Sequence, residues 1–130
     1  MFPQEEVYGG WPASGEIDIM ESRGNDDLKC DGVNIGHQQM GSTLHWGPDA
    51  GQNRFEMTSW LKNNEAHSYG SEMHIYELIW NEDGIAFKVD GEEHGSVYPP
   101  EGGFWELGGF QGQNPWAEGT KMAPFDEKVN

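Results

Sequence analysis

Glu16, Asp18 and Glu21 are the side chains of this sequence that could do chemistry together. They stand in Gly15-Glu16-Ile17-Asp18-Ile19-Met20-Glu21-Ser22, with apolar residues between them. Paired carboxylates suit cleavage of a glycosidic bond. One, protonated, gives a proton to the leaving oxygen; the other, ionised, attacks carbon or activates water. Like charges held close push their pKa values apart, so two similar residues can divide these duties. A retaining mechanism sets the two carboxyls ~5–5.5 Å apart, which glutamates leaning together on one strand face can reach. Asp18, between the glutamates, would tune both. The other readings are a solvated acidic strand or a calcium site. Calcium prefers ligands that wrap around it, including loop carbonyls, and a flat strand is a poor cage.

An element must hold these acids on one face. In a β-strand, side chains alternate with period 2. Glu16, Asp18 and Met20 would then share one face, and Glu21 would join Ile17 and Ile19 on the other. A buried, unpaired carboxylate there is costly. One extra residue at Ile19-Met20, a β-bulge, returns Glu21 to the side of Glu16 and Asp18. The sequence therefore predicts a bulged strand over 15–22.

Around that strand, residues 1–14 read as a loop with Tyr8 and Trp11 exposed. Arg23 to Asp27 reads as a turn. A second strand is expected from Gln38 to Trp46, with Met40, Ser42, Leu44 and Trp46 on one face and Gln39, Gly41, Thr43 and His45 on the other. Pro48 to Asn53 is a loop. Further strands are expected over Glu72–Trp80, Ile85–Val89 and His94–Val97, linked by turns at Asn81-Glu82-Asp83-Gly84 and Asp90-Gly91. From Pro99 on, the chain is irregular and aromatic-rich, with room for one short strand or helical turn. With 19 Gly, 7 Pro and no long helical period, the class is all-β and antiparallel, a sandwich before a barrel.

The chain has 130 residues and a formal net charge of −16, from 23 acids against 7 bases. That balance disfavours nucleic acid and anionic membrane surfaces, which need basic patches. No apolar run approaches the ~18 residues of a membrane helix, so membrane insertion is not expected. No secretory leader pattern follows Met1. Cys30 has no partner for a disulfide within the sequence. The five histidines show no HxH or HExxH spacing, so no zinc site and no cofactor are expected. His45 can face the same groove as the acids; His37, His67, His74 and His94 read as surface residues. Trp80 and Phe87 read as core. Trp11, Trp46 and Trp116 suit either core or a sugar-binding groove, since indole faces pack against the C–H faces of sugar rings.

The run Trp11-Pro12-Ala13-Ser14-Gly15-Glu16-Ile17-Asp18-Ile19-Met20-Glu21 resembles the active-site signature of glycoside hydrolase family 16, in its bulged, laminarinase-like form. Ser22-Arg23-Gly24-Asn25, Gly41-Ser42-Thr43-Leu44-His45-Trp46-Gly47-Pro48, Asn114-Pro115-Trp116 and Lys121-Met122-Ala123-Pro124-Phe125 resemble the invertebrate β-1,3-glucan-binding protein and β-1,3-glucanase group. The resemblance implies a β-jelly-roll (concanavalin A-like) with the acids on a concave cleft. It implies Glu16 as nucleophile, Asp18 as its electrostatic helper and Glu21 as general acid/base. The substrate and partner would be a β-1,3-glucan. Candidate substrate contacts are Trp11, His45, Trp46 and Trp116, with Arg23 and Asn25 just past the acidic strand. The group contains hydrolases and secreted recognition proteins of innate immunity that bind β-1,3-glucan, lipopolysaccharide being a further ligand to consider. An extracellular location is the corresponding expectation.

The resemblance also implies a longer catalytic domain, of which residues 1–130 are a portion with strands missing before Met1 and after Asn130. The isolated 130 residues are then expected to melt without cooperativity, because sheet edges and core faces stay open. A sharp two-state thermal transition of this segment would contradict that.

Overall fold

The structure is a computed structural model describing residues 1–64 and 66–130. In chain order its strands are β1 (Glu16–Ser22), β2 (Lys29–Cys30), β3 (Val33–Asn34), β4 (Gln39–His45), β5 (Ser59–Asn63), β6 (Tyr76–Trp80), β7 (Ile85–Val89) and β8 (Glu92–Val97), followed by a short helix, α1 (Gly103–Leu107). Every pairing is antiparallel. One sheet has the order β1-β4-β5, the other β6-β7-β8, and β2-β3 forms a small separate hairpin.

The two larger sheets pack together through their apolar faces. Ile17, Leu44 and Trp46 from the first meet Ile85 and Phe87 from the second, all essentially inaccessible to solvent. Phe104, Phe110, Trp116, Met122 and Phe125 from the C-terminal segment complete this core. Trp60 of β5 packs against Phe87, ring centroids 5.7 Å apart. Gly95 of β8 permits this approach: a Cβ there would lie 2.3 Å from the Trp60 ring. The β7–β8 turn is the expected Asp90-Gly91 pair, with φ of 52° and 80°. That is the left-handed pair a tight hairpin requires, and Asp and Gly adopt it at low cost.

The acidic strand carries the bulge. Asp18 pairs with Thr43 and Glu21 with Gly41, so Ile19 and Met20 together oppose Ser42. Ile19 packs against the core and Met20 is exposed. The fully buried Ser42 hydroxyl donates to the Ile19 carbonyl at 2.6 Å. Its oxygen lies 3.0 Å from His94 Nε2. With the hydroxyl proton committed to a carbonyl, that oxygen accepts from Nε2–H. His94 sits where β8 is itself irregular, since Phe87 pairs with Gly95 but Lys88 with Glu93. The irregularities of the two sheets are thus joined by one hydrogen bond.

Several expectations need correction. The sixth strand is shorter than Glu72–Trp80, because Tyr76 already pairs with Val89, the last residue of β7. His74 and Ile75 instead bind the Asp90 carboxylate, through Nδ1 at 2.7 Å and the backbone N–H at 2.9 Å. Strand β5 adds to the expected strands: Ser-Trp-Leu-Lys-Asn puts one large apolar residue on each face, so alternation gives little signal. Tyr8 is half-buried, donating its hydroxyl to Asp126 at 2.9 Å. His74 and His94 are not surface residues; the His74 side chain is 7 % exposed, and burial, then the Lys62 charge, lowers the His94 pKa. Trp80 does lie against the core, its indole N–H bound to the Phe125 carbonyl.

Ser42→Ala would strand the Ile19 carbonyl and His94 Nε2–H inside the protein. The expected loss of stability is about 1–3 kcal/mol, read from urea denaturation.

Candidate active site

The face of the first sheet turned away from the core forms an open groove of about 410 Å³, whose lining includes Glu21, Arg23, Gly41, Thr43, His45 and Leu61. The pairing that builds its floor follows from the bulge. Glu16 stands beside His45, Asp18 beside Thr43 and Glu21 beside Gly41. Without the extra residue, Glu21 would point at the core with Ile17.

Glu16 is held by Trp11, whose indole N–H donates to Oε2 at 2.7 Å. Trp11 is 45 % exposed, so its ring remains open to a ligand. The His45 ring contacts two aromatics: Trp11, tilted, at 5.6 Å and Phe55, stacked, at 5.3 Å. His45 Nε2 is 3.4 Å from Asp18 Oδ2, and Nδ1 is 2.9 Å from Asn53 Nδ2.

Asp18 is the electrostatic centre of the group. Burial, then the negative charges of Glu16 and Glu21, together with a hydrogen bond shared with Glu16, push its pKa from 3.8 up to about 7. The division of protonation expected of crowded acids thus falls on the middle residue. Asp18 is thus the acid of the three held towards its protonated form, which gives it a proton to donate within the cluster.

Oxygen atoms of Glu16 and Asp18 and a ring nitrogen of His45 lie within 4.8 Å of one another. These atoms already serve one another: Glu16 Oε2 accepts from Trp11, and the His45 nitrogens face Asn53 and Asp18. We assign no metal to them.

Two of the tryptophan expectations are corrected. Trp46 is fully buried, its indole N–H donating to Thr58 Oγ1 at 2.8 Å and its ring edge-on to Phe104. It shares the inward face with Leu44, as alternation from His45 requires. Trp116 is 4 % exposed and donates to the Ala13 carbonyl at 2.7 Å. It secures the turn that delivers β1 and does not line the groove. Arg23 lies at the groove's end, with Nη1 bound to the Ile35 carbonyl at 3.0 Å and Gln39 Oε1 at 3.1 Å. Asn25 is outside the groove lining; its carbonyl accepts from the His37 N–H. Asn53, Phe55 and Leu61 also stand at the site without a signal in the sequence. The first two lie in and just after a loop legible only as turn-forming composition, and Leu61 lies on β5.

The raised Asp18 pKa fixes a sign for stability. Between 3.8 and about 7 the folded protein retains a proton that the unfolded chain has released. Stability therefore declines as pH rises through that window. Asp18→Asn should flatten this part of the profile, measured as urea midpoint against pH. An unchanged slope would remove Asp18 from its cause.

Residues 4–103 match the family described as Glycosyl hydrolases family 16. A β-1,3-glucan-binding protein from Penaeus monodon is 45 % identical over 98 % of this chain and 34 % of its own length. A glucan endo-1,3-beta-glucosidase A1 from Niallia circulans is 32 % identical over 98 % of this chain and 16 % of its own length. This chain thus spans about a third or less of these relatives. A family 16 structure from Bacteroides ovatus, solved in complex with a product, superposes with a TM-score of 0.55 at 24 % identity, over 75 % of this chain and 38 % of that one. This likeness carries the fold, an antiparallel β-jelly-roll. With the family match over residues 4–103, the chain belongs to glycosyl hydrolases family 16.

Proposed function

We propose that the protein hydrolyses internal β-1,3-glucosidic bonds of laminarin-type glucans with retention of configuration. The observation that carries this reading is the acidic face of the bulged strand: Glu16 oriented by Trp11, Asp18 raised to about 7, and Glu21 returned to the same side by the bulge. Crowding three acids is an electrostatic cost that catalysis turns to use, whereas a binding surface has no need of it.

In the proposed reaction, Glu16 attacks the anomeric carbon as Glu21 protonates the departing glycosidic oxygen. A covalent glycosyl–enzyme forms, and water then displaces Glu16 with Glu21 acting as base. A protonated Asp18 would donate to Glu16 and moderate its charge as the carboxylate is consumed and released. The exposed face of Trp11 offers a platform for a sugar ring, and Arg23 a donor at the groove's end.

A second reading is a secreted recognition protein that holds β-1,3-glucan without needing turnover. It is favoured by the name of the Penaeus monodon relative, a glucan-binding protein. Turnover separates the two. The complete protein should release reducing sugar from laminarin, with the β-anomer appearing first by NMR. Glu16→Gln should lower kcat at least about a thousandfold while laminarin binding persists. No release of reducing sugar by the unmutated protein would decide for the recognition reading.

A further inference from the structure

Asn53 stands one step behind the acidic cluster, in the loop between β4 and β5. Its amide orientation is fixed by its own surroundings. Oδ1 accepts from two backbone N–H groups, those of Trp46 at 3.2 Å and Phe55 at 3.1 Å. Nδ2 is therefore the atom turned towards His45, 2.9 Å from Nδ1. An amide nitrogen only donates. His45 Nδ1 must then hold a lone pair, and the ring proton sits on Nε2, the nitrogen 3.4 Å from Asp18 Oδ2. Contacts with Trp11 and the stacked Phe55 restrict rotation of the ring.

We infer that Asn53 is a positioning residue: it locks His45 as the Nε2–H tautomer, and the N–H presented to Asp18 Oδ2 leaves the other Asp18 oxygen to carry the proton to Glu16. The opposite tautomer would set a lone pair against Asp18 Oδ2 and draw the Asp18 proton towards His45. Glu16 would then lose its neutral donor. The control of the Asp18 proton matters for catalysis only through Glu16, so that step rests on the glycosidase reading. The tautomer itself does not.

Asn53→Asp is the informative variant. A carboxylate still accepts from the Trp46 and Phe55 N–H groups, but at Nδ1 it replaces a donor with an acceptor. The measurement is long-range ¹H–¹⁵N correlation of ¹⁵N-histidine-labelled complete protein near neutral pH, with His45 assigned by comparison with His45→Gln. The unmutated protein should show the proton on Nε2 and an unprotonated Nδ1, whereas Asn53→Asp should show Nδ1 protonated. On laminarin, Asn53→Asp should lose between about ten- and a hundredfold in kcat with little change in KM. A protonated Nδ1 in the unmutated protein would overturn the assignment without reference to any variant. A switched tautomer with unchanged kcat would overturn the directing role. An Nε2–H tautomer in a protein with no turnover would uphold the assignment and count against the glycosidase reading alone.

Discussion

A strand that buries one face and exposes the other offers its acids only every second position, and Glu21 falls on the wrong parity. The extra residue at Ile19-Met20 resolves this at a local cost, because a bulge interrupts the ladder and turns a carbonyl away from its regular partner. Ser42, the single residue opposite the bulge, meets that carbonyl with its hydroxyl. Everything functional on the outer face depends on this arrangement. The core requires Ile17 and Ile19 on the inner side, and the groove requires Glu16, Asp18 and Glu21 on the outer side. Only a bulge at this point satisfies both.

The groove is organised in layers of decreasing exposure. Trp11 and the acids face solvent. Behind them His45 packs against Trp11 and Phe55, and behind His45 the amide of Asn53 is pinned by backbone N–H groups. Each layer restricts the freedom of the one in front. This is the preorganisation a charged site needs, since dipoles already aligned cost no reorganisation when charge moves. Trp116 contributes from the interior by holding Ala13, and so sets where the turn leaves Trp11.

Much of this was legible in the sequence wherever a residue's chemistry and its parity conflicted. The bulge followed from placing Glu21, and the β7–β8 hairpin from Asp90-Gly91 between apolar runs. The placement of His45 beside the acids followed from alternation in β4. The failures have equally specific causes. Trp46 and Trp116 carry the same residue type as Trp11, and composition does not distinguish an indole whose N–H meets Thr58 or Ala13 inside the protein from one that meets Glu16 at the surface. Strand β5 lacks a one-sided pattern because both its faces are in use, Trp60 inward and Leu61 on the groove floor. Asn53 was invisible because its role lies in which way an amide is turned, a matter of contacts distant from its place in the chain.

The link between Ser42 and His94 has a consequence for how this fold can vary over time. Each side chain is the hydrogen-bond partner of the other, and Ser42 also serves the Ile19 carbonyl. Replacing either alone strands a polar group between the sheets, which costs stability even though neither residue reaches the groove. Lineages that alter one are expected to alter the other with it. Strands β4 and β8, far apart in sequence, would then drift as a single heritable unit.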